Sequence, residues 1–201
     1  NLTANADDGW TFSNWSGDLT GSTNPDNITM DGNKVVNALF TENQYTLTIY
    51  TEGNGSVIKD PNQDTYTYGT VVNLMANADD GWTFSHWSGN LTGNTNPDSI
   101  VMDENKTITA NFTENDYTLT INIEGNGSVT KDPNQTTYTY GTLVELNATG
   151  DQGWSFDHWS GDLSGSENPI TINMTSDKTV TANFSQDQYV LKINIEGIGS
   201  V

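Results

Sequence analysis

The 201-residue chain contains no cysteine and no arginine, and its 6 lysines face 26 acidic side chains. Without cysteine there can be no disulfide staples, no thiolate zinc cluster and no thiol chemistry. The formal net charge of −20 repels nucleic acid and anionic membrane surfaces, so neither is an expected partner. The same field keeps extended polymers soluble and apart, and it attracts loosely held cations. No apolar run approaches the roughly 18 residues of a membrane span, so no membrane insertion is expected of this segment. No signal-peptide pattern is visible either. No window carries a 3.6-residue apolar stripe, so a helix is not evident. A hydrophobic fraction of 33% is low for one large core but sufficient for small β modules with polar outer faces.

What the chain does have is repetition. Gly9-Trp10-Thr11-Phe12 returns as Gly81-Trp82-Thr83-Phe84 and again as Gly153-Trp154-Ser155-Phe156, each time 72 residues on. Tyr45, Tyr117 and Tyr189 open similar segments at the same spacing. A fixed period without slippage marks a tandem array. Residues 45–116 and 117–188 are complete units, 1–44 read as the C-terminal part of a preceding one, and 189–201 as the start of another. The pattern is entered and left in mid-repeat. The copies agree at Leu2, Trp10, Phe12, Trp15, Ile28 and Phe40 and at turn residues such as Gly9, Gly17, Gly21 and Pro25. Core and turn residues recur while polar decoration varies, which marks a repeated fold rather than a shared reaction.

Within one unit, Tyr45, Leu47 and Ile49 alternate with polar neighbours as a half-buried strand. Gly53-Asn54-Gly55 is expected to turn a tight hairpin into a short strand over 56–59. Residues 61–70 read as a polar connection carrying Tyr66 and Tyr68. Further strands follow at Val72–Ala76, Trp82–Phe84, Ile100–Met102 and Ile108–Phe112. The expected fold is all-β, about six short strands per unit, as a tandem array of small 72-residue modules. Four residues separate Phe112 from Tyr117, short enough to restrict swinging. Each unit should measure about 30 Å across, so the array reads as a semi-rigid rod.

The order YTLTI, GNGSV, YGT, GW-x-F-x-x-WSG, NP and TANF resembles the divergent internalin-B-type B-repeat of bacterial and archaeal surface proteins. The resemblance covers essentially the whole chain. It implies a small β-grasp-like or β-sandwich module, extracellular, cell-surface or secreted, acting as spacer, adhesin stalk or partner-binding repeat. It brings no catalytic residues.

Candidate chemistry is sparse. His86 and His158 correspond to Asn14 in the first copy and lack repeated catalytic companions, so no enzyme activity is expected. Asp7, Asp79 and Asp151 recur before the Gly-Trp turn, and Asp18, Asn90 and Asp162 follow it. Carboxylates in such turns can bind Ca²⁺, but aspartate also caps turns through backbone bonds. Trp15, Trp87 and Trp159 lie three residues beyond a phenylalanine, so strict alternation points them away from the core. A β-bulge would return them to it; otherwise they contact the next repeat or form a platform for a sugar or partner. Lys34, Lys106 and Lys178 read as edge or turn charges, with a covalent Lys–Asn cross-link as the alternative. Sequons make Asn54, Asn90, Asn105, Asn111, Asn126, Asn134 and Asn183 candidate glycosylation sites. Asn111 and Asn183 are expected to face outward because Phe112 and Phe184 face in.

The expected role is a structural repeat of an acidic extracellular stalk, filament or fibre, with neighbouring repeats or copies of itself as partners. The rival is an adhesin-type module holding a host, cell-surface or matrix glycan or protein, with Trp87 and Tyr66 exposed in a shared groove. The phase of the repeats also allows strand exchange, the first two strands of one unit completing the sheet of another.

Overall fold

The computed structural model describes residues 1–199. The start of a further repeat, read at 189–201, therefore lies outside the described residues at its last two positions. The chain forms two compact units, Asn1–Thr113 and the part from Glu114 onward. Strand is the regular element throughout, and no helix occurs among the described residues.

The complete repeat in the first unit contains β3 (Gln44–Tyr45), β4 (Leu47–Glu52), β5 (Gly55–Asp60), β6 (Tyr66–Thr67), β7 (Thr70–Ala78), β8 (Trp82–Gly89), β9 (Asp98–Met102) and β10 (Lys106–Glu114). Ahead of it stand β1 (Trp10–Gly17) and β2 (Val36–Glu42), the counterparts of β8 and β10. Three sheets build the repeat: β5-β7-β9, β4-β10-β8 and the two-residue pair β3-β6. β7 shows why the chain folds this way. Val72, Leu74 and Ala76 are buried while Val71, Asn73 and Met75 face out, the period of a strand with one wet face. The two larger sheets close on one core of Leu47, Val72, Leu74, Ala76, Trp87, Ile100, Met102, Ile108, Ala110 and Phe112, with Tyr66 beneath the mini-sheet. The architecture is a small β-sandwich.

The second unit repeats it with β11 (Asp116–Tyr117), β12 (Leu119–Glu124), β13 (Gly127–Asp132), β14 (Tyr138–Thr139), β15 (Thr142–Gly150), β16 (Trp154–Gly161), β17 (Ile170–Met174) and β18 (Lys178–Gln186). Its sheets are β13-β15-β17, β12-β18-β16 and β11-β14, around an equivalent core.

Three expectations need correction. First, Gly53-Asn54-Gly55 is not a hairpin turn. β4 joins one sheet, parallel to β10, while β5 joins the other, antiparallel to β7. The glycines form an arch between layers. Gly53 has φ of 80° and sits under the Trp82 ring and the Phe112 carbonyl, with no room for a Cβ. Second, each complete repeat pairs its own β4 with its own β10, so no strands are exchanged between the complete repeats. Third, the polar connection contains a strand, because Tyr66 turns inward to 1% exposure and pulls its neighbours into pairing with β3.

Candidate functional site

The recurrent polar side chains hold backbone. The Asn96 amide accepts from the Ala76 N–H at 2.9 Å and donates to the Ala76 carbonyl at 2.8 Å, imitating a ladder partner across 20 residues. Asn24 does the same for Ala4, and Asn168 for Ala148. Each precedes a proline, so the Asn-Pro pair that recurs in all three copies was the visible signal of this clamp.

Asp18, Asn90 and Asp162 make a second brace. Their side-chain oxygens accept from the backbone N–H of Val35, Thr107 and Thr179 at 2.6–2.7 Å. Their own N–H groups donate to the carbonyls of the same residues. Because an oxygen alone is used, aspartate and asparagine are interchangeable. Asn105 and Asp177 form a third brace, accepting from both the N–H and the hydroxyl of Thr46 and Thr118. These bonds, the one from the Thr118 N–H foremost, hold the Asp177 carboxyl below the usual range.

The calcium candidates serve the Gly-Trp turn. The carbonyls of Asp7, Asp79 and Asp151 accept from the N–H of Trp10, Trp82 and Trp154 at 2.9–3.0 Å. Among the described residues, no three His, Cys, Asp or Glu side chains converge as a metal site. Lys106 lies against Asp103 and Glu104, and the Asp103 carboxylate raises its pKa more than any other neighbour.

Trp15, Trp87 and Trp159 are buried to 5%, 1% and 1% exposure. The strand register shifts between Phe12 and Asn14 and between Phe156 and His158, the bulge that turns the indole inward. Each indole N–H then donates to a carbonyl eight residues on, those of Thr23, Thr95 and Glu167, at 2.8–2.9 Å. The rings pack tilted against those of Phe12, Phe84 and Phe156 at centroid distances of about 5 Å. They therefore form no platform for a sugar, and Trp87 shares no exposed groove with the equally buried Tyr66. In the first unit a contact between repeats is made by Tyr68, which the sequence showed only as one tyrosine of a polar connection. Tyr68 covers Gly9, and its hydroxyl donates to Asp8 at 3.4 Å.

The sequons divide by geometry. Asn54, Asn90, Asn105, Asn126 and Asn134 are exposed. Asn111 and Asn183 are half-buried, and the Nδ2 of each donates to the carbonyl of His86 or His158 and to the hydroxyl of Ser88 or Ser160. A sugar attached to that nitrogen has to displace these bonds. His86 and His158 sit on the wet face beside Ser85 and Asp157.

Fold and braces together define a class: an all-β tandem-repeat protein whose recurrent residues maintain the module. The chain belongs to the divergent InlB B-repeat family, whose model matches residues 1–44, 45–116 and 117–188. That family is one of structural or binding modules associated with cell-surface proteins. No curated protein and no solved structure matches the chain.

Proposed function

We propose that the chain is an extracellular spacer: a run of repeats that extends a cell-surface protein or appendage as a stalk or fibre and catalyses nothing. One observation carries this reading. The Trp and Phe of the core and the Asn or Asp of the clamp and braces, which recur every 72 residues, are spent inside their own repeat, packed in the core or bonded to backbone groups. The net charge of −20 favours an exposed, self-repelling polymer. Surface labelling tests the reading: antibody against residues 45–188 should decorate intact producing cells, and mild proteolysis of those cells should release the epitope. An epitope reachable only after lysis would contradict it.

The adhesin-type reading has one feature of its own. Between edge strands β4 and β5 runs an open groove of about 430 Å³ lined by Leu47, Ile49, Val57, Ile58, Lys59 and Asn62. An extended peptide could add there to a free strand edge. A peptide and glycan array probed with the chain separates the two: selective binding lost on Ile58→Asp supports the adhesin, and a blank array leaves the spacer.

A further inference from the structure

Two further sequons, Asn147-Ala148-Thr149 and Asn173-Met174-Thr175, fall on one sheet of the second complete repeat. Asn147 stands in β15 and Asn173 in β17, which are paired neighbours. Ala148 and Met174 are buried, so alternation turns each asparagine and its threonine outward together. Asn147, Thr149, Asn173 and Thr175 are all exposed. Asn173 lies opposite Leu143, and Asn147 is four residues further along β15. At about 3.3 Å per residue the two asparagines are about 13 Å apart along the strand, on one wet face.

The sheet does not call for these residues. In the preceding repeat the same positions hold Met75, Asn77, Val101 and Asp103, with β7 and β9 paired in the same register. In the first, partial copy they hold Thr3, Asn5, Thr29 and Asp31. Each sequon therefore combines an asparagine and a threonine that both other copies lack there.

Nor do the two asparagines brace backbone. Asn183 shows the opposite case: its Nδ2 donates to the His158 carbonyl, the Ser160 hydroxyl and the Thr181 carbonyl at 3.0–3.4 Å. Asn111 repeats that arrangement, and the Nδ2 of Asn14 donates to the Trp15 carbonyl at 3.1 Å. The side-chain amides of Asn147 and Asn173 have no partner among the described residues, and their Nδ2 hydrogens face water.

We propose that Asn147 and Asn173 are attachment sites for N-linked glycans, which makes the outer face of the β13-β15-β17 sheet a sugar-bearing face. The donor is a sugar activated as a lipid diphosphate. Nδ2 bonds to its C1, the bond from C1 to the diphosphate oxygen breaks, and the diphosphate leaves with the electron pair while Nδ2 gives up one proton. The first sugar on Asn173 lies against Leu143, which is 61% exposed and directly opposite in the ladder. The hydrated chains beyond it keep this face from packing against another sheet. The proposal rests on the extracellular reading above, because such a transfer acts on chains that leave the cell.

Peptide mass spectrometry of the chain purified from its producing cells tests this. Cleavage after lysine and glutamate puts Asn147 on peptide 146–167, Asn173 on 168–178 and Asn183 on 179–192. The first two should carry sugar-sized mass increments, and the third should carry none. Asn147→Gln and Asn173→Gln should each remove the increment from their own peptide alone. A bare 146–167 or 168–178 peptide overturns the assignment of that site. An increment that survives the glutamine variant overturns it as well, since the sugar is then on a hydroxyl. Occupancy of Asn183 equal to theirs would overturn the selection by a free Nδ2. Bare peptides from a chain whose epitope lies on the cell surface would remove the sugars and leave the spacer standing. Sugar-bearing peptides from a chain reached only after lysis would do the reverse.

Discussion

In the two braces, where a side-chain oxygen is the working atom, the copies exchange asparagine and aspartate, and in the clamp on Ala4, Ala76 and Ala148, where the amide nitrogen also works, asparagine is kept. Asn96 uses both atoms on Ala76. Asn96→Ala leaves a part-buried N–H and carbonyl without partners, at a cost of about 1–3 kcal/mol. Urea unfolding of the wild type and variant measures it directly. Asp177 and Asn105 make the same contacts, but Asp177 alone titrates. Its folded pKa is lowered by the Thr118 N–H and hydroxyl, so its contribution is complete above the ordinary carboxyl value of about 3.9. That contribution is lost as pH falls through the lower folded value. Asp177→Asn should therefore leave neutral-pH stability nearly unchanged and make the second unit less sensitive to acid, as thermal melts down a pH series will show.

Strand positions were legible because alternation survives in Val72, Leu74 and Ala76 and in Ile108, Ala110 and Phe112. Strand partners were not. β4 and β10 lie 59 residues apart in register, and apolar alternation does not encode whether a pair runs parallel. The Gly-Asn-Gly segment misled for a related reason: glycine permits a hairpin or an arch, and contacts with Trp82 and Phe112 decide. The inward Trp87 was one of three readings of a Phe-to-Trp spacing, and the bulge that selects it leaves no residue signature. Tyr66 was hidden among polar neighbours. Because the arch is packed rather than free, Gly127→Ala should be costly. A Cβ there would meet the Phe184 ring at 2.5 Å, and overpacking of this kind costs about 1–3 kcal/mol. Gly32→Ala is the control, since a Cβ at Gly32 meets nothing within 4 Å. Equilibrium unfolding of the two variants should separate them clearly.

At the scale of the whole molecule, reach depends on how repeats join, and in the first unit the join includes Tyr68 over Gly9. A Cβ at Gly9 would land on the Tyr68 side chain, and Gly9 also has φ of 78°. Gly9→Ala should release Tyr68, seen as faster hydrogen exchange at the Gly-Trp turn of residues 7–10 with the core of 45–112 still protected. The charge on Asp8 raises the Tyr68 pKa. The bond to Asp8 is therefore fully present below the ordinary tyrosine value of about 10 and weakens as pH rises through the higher folded value. The proposed spacer extends a surface structure repeat by repeat. Cryo-electron imaging of the native assembly tests it most directly. A stalk or filament should project from the cell with a regular axial spacing of one repeat, about 30 Å. Compact particles without that spacing, or a location inside the cell, would contradict it.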